Sequence, residues 1–182
     1  MARLRFVVCA AAVILVLSHR AAEAQSARPI YRVDAAGVGS CYDADLSLML
    51  PGHVFACLEV GSLEVFFPDP PEGVAPRERV VLLGDRLDDF SAGACKYLLS
   101  NVLGKDVMLA FDAVMRNAAG ALLAYVYLPA DGTCVNLKVI RDGNARAAPE
   151  ALFQFREEFE MNEKLAREAH RGIWAQWPGR SP

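Results

Sequence analysis

The sequence predicts an α+β, mainly β domain. Its expected form is a small closed β-barrel of the OB type, with one helix after the third strand and helices at the C-terminus. Three observations lead there. Residues 54–83 hold short runs rich in β-branched and aromatic residues, broken by Gly61-Ser62 and by a loop with four prolines between residues 68 and 76. Residues 105–115 and 121–128 form a second pair of strand-like runs joined by a tight loop, so they read as a hairpin. Between these pairs, and again at the end of the chain, lie segments with helical spacing and helix stop signals.

The elements follow in order. Residues 1–24 are set aside first: Arg3 and Arg5 precede an apolar run at residues 6–17, and Ala22-Glu23-Ala24 is a small-x-small cleavage site. This reads as a secretory signal peptide cut before Gln25. An anchor crossing the membrane needs roughly 18 apolar residues or more, and this run has 12. The mature protein is therefore expected to be secreted or periplasmic, with no membrane association. Residues 25–51 are rich in small and polar residues, with Pro29, Gly37, Gly39 and Pro51. They read as an irregular extension apart from a short piece near residues 46–50.

The domain proper is expected over residues 52–177. Residues 54–67 give two strands meeting at Gly61-Ser62, and 79–83 a third. Ser91 is placed to begin a helix that reaches Leu103, with Tyr97, Leu98, Val102 and Leu103 on its apolar face and Gly104 as the stop. Val107, Leu109 and Phe111 share one side of the next strand. Residues 135–140 are ambiguous: Val135, Leu137 and Val139 alternate like a strand, while Gly143 suits a helix end. Pro149 sits near the expected start of the last helix. There Leu152, Phe155, Phe159, Asn162, Ala166, Ala169 and Ile173 recur at steps of three and four. Glu160/Lys164 and Glu163/Arg167 are acid-before-base pairs four apart. Gly172 ends the helix, and Trp174 and Trp177 are expected to fold back onto the core.

Charge and cysteines narrow the functions. Losing Arg3, Arg5, Arg20 and Glu23 takes the formal charge from −3 to about −5. Duplex-binding proteins usually present a basic field that neutralises phosphates, so nucleic-acid affinity is expected to be low. Five cysteines include Cys9, which leaves with the signal segment. Cys41, Cys57, Cys95 and Cys134 remain, an even count that in an exported protein favours two disulfides with three connectivities open. No Cys-x-x-Cys pair supports zinc.

Certain motifs are shared with a known family. They are Gly104-Lys105-x-Val107 at a strand start, the run Leu123-Ala124-Tyr125-Val126-Tyr127, Asp131-Gly132 with Val135-Asn136, Arg141-x-Gly143-x-Ala145, and the closing Ala166-Arg167 to Gly172-Ile173-Trp174. In this order they resemble the staphylococcal-nuclease-like (thermonuclease) domain. The resemblance implies its barrel, and it favours a short helix over residues 135–140.

The resemblance also implies where catalytic groups belong. Gly52-x-Val54 matches the family's first strand, but the Asp-Gly-Asp-Thr slot holds Glu59-Val60-Gly61-Ser62, so a calcium-ligand Asp falls on Gly61. Residues 80–89 fill the next motif. Val81 stands in the catalytic Arg slot, Arg86 in a metal-binding Asp slot and Asp89 in the Glu slot, and the second catalytic Arg falls on Ala121. A one-residue gap would instead bring Asp85 and Asp88 to the metal and base slots, with Glu59 nearby. His53 and His170 read as surface histidines on a loop and a helix end.

Three readings follow. The first is an exported, non-catalytic domain that needs no cofactor and is kept as a structural or binding module, with a protein as its expected partner. The second is a secreted calcium-dependent phosphodiester nuclease with a site rearranged around Glu59, Asp85, Asp88 and Asp89. The third is a nucleic-acid-binding OB module without catalysis.

Overall fold

Two-residue alternation builds the barrel wall. In β4 (Ser62–Phe66), Leu63 and Val65 are fully buried while Glu64 and Phe66 face outward. In β5 (Arg77–Leu82), Val80 and Leu82 point in while Arg79 and Val81 point out. The computed structural model describes residues 31–33, 39–58, 62–86 and 91–176. The signal-peptide reading of residues 1–24 lies outside them, as do Glu59, Gly61, Asp88, Asp89 and Trp177.

β3 (Leu50–Cys57) pairs antiparallel with β4 on one side and with β7 (Asp106–Ala110) on the other. β4 pairs antiparallel with β5, and β7 with β8 (Leu122–Leu128). A parallel pairing of β5 with β8, Val80 opposite Leu122 through Leu82 opposite Ala124, closes the ring. The result is the expected closed barrel, a mixed one of five strands. A two-residue strand, β9 (Thr133–Cys134), extends it beyond β8. Closure leaves no long sheet edge exposed.

The helices cover the barrel. α1 (Ser91–Asn101) follows the third barrel strand, buries Leu98, packs on β3, and is followed by Gly104 at φ 72°. Leu103 lies past its end and is 39% exposed. α2 (Val135–Arg141) settles the ambiguous segment as a helix. The alternation of Val135, Leu137 and Val139 only mimics a strand, for Asn136 between them and Ile140 after them are buried too. The element is wedged between β8 and α3, and a helix buried on several sides loses its one-faced signature.

α3 (Arg156–Glu168) starts well after Pro149. The chain between is tied elsewhere: Ala148 N donates to Gly84 O at 2.9 Å, and Gln154 N donates to Asp112 Oδ2 at 2.8 Å. Leu152 is thus 84% exposed and no part of the helical stripe, whereas Phe155 stacks edge-on to Tyr125, ring centroids 5.2 Å apart. Of the expected ion pairs Glu163–Arg167 forms, while Glu160 instead meets Arg156 at 3.6 Å and Lys164 meets Glu168 at 3.9 Å. Trp174 folds back as expected, with the Arg167 guanidinium 4.3 Å from its ring centre.

The N-terminal extension is more regular than its composition suggests. β1 (Tyr31–Val33) and β2 (Gly39–Ala44) form an antiparallel ribbon, followed by a short 3-10 turn at Leu46–Leu48. Glu158 of α3 holds it, accepting from Ser40 Oγ at 2.7 Å and from Cys41 N at 2.9 Å. A short strand ribbon anchored by a distant helix carries little local signal. His53 likewise lies within β3 rather than on a loop, its Nδ1 2.8 Å from Asp106 Oδ1 on the neighbouring strand.

One close approach locks the C-terminus. Gly143, at φ 74°, and Gly172, at φ 51°, lie so close that a Cβ on Gly143 would run into the Arg171 carbonyl and one on Gly172 into the Gly143 carbonyl, and Ile173 N donates to Gly143 O at 2.9 Å. The Arg141-x-Gly143 and Gly172-Ile173 motifs are therefore the two halves of one contact.

Candidate functional site

The outward face of β5 and the loop before β8 frame a cleft of about 410 Å³. Ser62, Glu78, Arg79, Val81, Asn117 and Ala121 line it. Strand pairing explains the gathering: Ser62 sits opposite Val81 on β4, and Val81 opposite Leu123 on β8, two residues along from Ala121. Asn117 Oδ1 accepts from the backbone N–H groups of Ala119 and Ala121, both at 3.0 Å, and so shapes the loop.

The slots assigned to the two catalytic arginines, Val81 and Ala121, and to the threonine, Ser62, thus converge on a single cleft. Val81 and Ala121 bring to it no charge and no side-chain hydrogen-bond donor. Two other arginines lie close by. Arg79 is two residues before Val81 on the same strand, hence on the same face, and its Nε donates to Ser62 Oγ at 2.9 Å. Arg116 turns inward to protein: it grips Glu78 with both terminal nitrogens, at 2.7 and 3.1 Å. It also donates to Gly120 O at 2.7 Å and Gly73 O at 2.8 Å. This two-pronged bond from Arg116 holds the Glu78 carboxyl below its usual pKa.

These donors do not suit calcium, which needs several oxygen ligands. The cleft's carboxylate, Glu78, is already taken up by Arg116 and by Ala75 N at 2.9 Å. The Ser62 hydroxyl is occupied by Arg79. Among the described residues no three His, Cys, Asp or Glu side chains gather to hold a metal.

Asp85 lies elsewhere. It belongs to β6 (Asp85–Arg86), a two-residue strand paired with β10 (Arg146–Ala147), and is not part of the cleft lining. The residue is part-buried as a whole, but both carboxylate oxygens are sealed from solvent without a hydrogen-bond partner. That burial, and secondarily the nearby Cys134, push its pKa well above the ordinary value, favouring the neutral acid. Arg86 is exposed and pairs opposite Arg146. Glu59, Asp88 and Asp89 lie outside the described residues.

Sequence reasoning missed Glu78 and Asn117 as cleft residues. Period two along β5 could have flagged Arg79 beside Val81, whereas the Glu78–Arg116 bond spans strands and has no local signal.

A family model described as staphylococcal nuclease homologue matches residues 69–176. This is more than half of the chain, and the protein belongs to the staphylococcal-nuclease-like family. The matched span includes Val81 and Ala121 and begins after β3 and β4. No curated protein matches the chain.

Proposed function

We propose that this protein is a non-catalytic, exported member of its family, retained as a structural or binding module for a protein partner. One observation carries the reading: Val81 and Ala121, in the two arginine slots, line the same cleft. Cleaving a phosphodiester places extra negative charge on the phosphoryl oxygens, and fixed cations must absorb it. Arginine does so through a planar, permanently charged fork. Losing one such group typically costs about 100- to 1,000-fold in rate. Two losses together with an ill-suited metal site leave no useful catalysis. Export draws on the signal-like residues 1–24, and the acidic formal charge weighs against a role in binding nucleic acid.

A second reading, a calcium-dependent nuclease rearranged around Glu59, Asp85, Asp88 and Asp89, draws on Arg79, the guanidinium still facing the cleft. An assay of the purified protein on single-stranded DNA and RNA, with calcium or with EDTA, separates the two. The proposal expects no cleavage above the buffer control in either condition. Calcium-dependent cleavage that EDTA abolishes and that Asp85→Ala or Arg79→Ala removes would establish the second reading instead.

A further inference from the structure

We propose that the chain closes two disulfide bonds, Cys41–Cys134 and Cys57–Cys95, and that the first latches the N-terminal ribbon onto the barrel. All four thiols are free in the structure, yet the fold sorts them into two neighbouring pairs.

Cys41 lies on β2 and Cys134 on β9, strands that touch although they are far apart in sequence. Tyr127 brings them together. Its hydroxyl is 3.1 Å from Cys41 Sγ and donates to Cys41 O at 3.0 Å. Cys134 is the residue directly opposite Tyr127 on the β8–β9 ladder. Both cysteines are completely buried, and after burial itself the neighbouring Cys134 is what pushes the Cys41 thiol up. Cys134 precedes α2 but makes no side-chain capping bond there, so its sulfur is not engaged by the helix end. Cys57 ends β3, and Cys95 lies in α1, the helix packed on that strand. Both are part-buried, and burial, then the neighbouring Cys95, push the Cys57 thiol up. No third His, Cys, Asp or Glu among the described residues joins either pair to make a metal site.

The chemistry balances with a small disulfide such as glutathione disulfide as oxidant. One protein thiolate attacks the donor, forming a mixed disulfide and releasing one glutathione thiol. The second protein thiolate displaces the other glutathione. Each bridge removes two hydrogens from the protein and reduces one donor disulfide to two thiols. Only a thiolate attacks, and burial, then the neighbouring Cys134, push the Cys41 thiol far up in the finished fold. Cys41–Cys134 therefore closes while the chain is folding. Cys57 and Cys95, being part-exposed, can react afterwards. The first bridge encloses the whole barrel between the ribbon and α2, a long loop of the kind whose closure most constrains the unfolded chain. Formation in the cell rests on the export reading, because a reducing compartment would keep the thiols apart.

The test is to refold the full chain in reduced and oxidised glutathione, quench with acid, alkylate free thiols and digest without reduction. Mass spectrometry should find the Cys41 peptide joined to the Cys134 peptide and the Cys57 peptide joined to the Cys95 peptide, each pair two hydrogens lighter than its parts. Reduction should lower the melting temperature by roughly 10 °C, and a Cys41→Ser/Cys134→Ser variant should lose most of that difference. In Cys41→Ser alone, Cys134 should be alkylated while Cys57–Cys95 persists. A bond from Cys41 or Cys134 to Cys57 or Cys95, or alkylation of both Cys41 and Cys134 in the refolded wild type, overturns the pairing. Bridges that form on refolding but are missing from protein recovered from cells support the pairing and count against export alone.

Discussion

The C-terminal half of the domain and the cleft on its flank have fared differently. Around α2 and α3 the motif residues have structural partners. Asn136, fully buried, accepts from Val126 N at 2.9 Å and donates to Leu83 O and Ala124 O at 2.9 and 3.0 Å. It ties the helix to the barrel wall on both sides of the β5–β8 closure. In the cleft, Val81 and Ala121, the positions to which the family resemblance assigns arginines, bring no charge, and the nearby Arg116 is spent on Glu78 and two carbonyls. The contrast teaches that a scaffold can hold its packing contacts whatever its cleft carries, since Val81 keeps its place in the strand pairing without a charged side chain.

Breaking the well-kept half should produce the largest effect. Asn136→Ala takes the side-chain partner from Val126 N and Leu83 O, while Ala124 O keeps Leu83 N as a donor, and should lower the unfolding free energy by about 2–5 kcal/mol, measured by denaturant titration. A loss below about 1 kcal/mol would mean that the Asn136 bonds are not what joins α2 to the barrel. Next comes Glu163, 9% exposed, whose carboxylate accepts from Ala147 N at 3.0 Å and pairs with Arg167. Glu163→Ala should cost roughly 2–3 kcal/mol. Glu163→Gln, which can still accept from Ala147, should cost clearly less.

The cleft half can be sharpened by restoring what its slots lack. Val81→Arg/Ala121→Arg should bind a short single-stranded oligonucleotide about tenfold more tightly than wild type at low salt, the worth of roughly 1.4 kcal/mol of new phosphate contact. The gain should shrink as salt rises. Unchanged affinity would show that the cleft no longer fits phosphate at all. The smallest effect concerns Glu78. Its pKa is lowered in the fold by Arg116, so its contribution is present above the unfolded value of about 4.3 and is lost as pH falls through the folded value. Glu78→Gln should therefore be less stable than wild type at pH 7, with the gap narrowing below about pH 4. A gap constant across that range would rule out the ion pair as its source.

Much of the scaffold was legible in the residues. β-branched and apolar runs marked β4, β5 and β8, alternation marked β7, and Gly104 marked a helix end, because each signal spans only a few positions; Gly172 did not, since α3 already stops at Glu168 and Gly172 opens a 3-10 turn instead. The cleft was half legible. The family motifs located Val81, Ala121 and Ser62, but Glu78 and Arg116 meet across 38 residues of chain, and no local pattern announces such a bond. The start of α3 was misjudged because Pro149 looks like a helix opener, while bonds to Gly84 and Asp112 tie down residues 148–154 as a turn and irregular chain.

By itself the sequence determined the barrel strands, the hairpin and the two-sided face of the last helix. Those depend on short-range periodicity and on side-chain identity. Only the tertiary structure decided that residues 135–141 coil rather than extend, that residues 31–33 and 39–44 pair as a ribbon, and that Asp85 lies outside the cleft with its carboxylate sealed from solvent. It also decided that Cys41 meets Cys134. In each case burial between elements distant in sequence overrides local preference, since hydrogen bonds and apolar area gained across the fold outweigh the small propensities written along the chain.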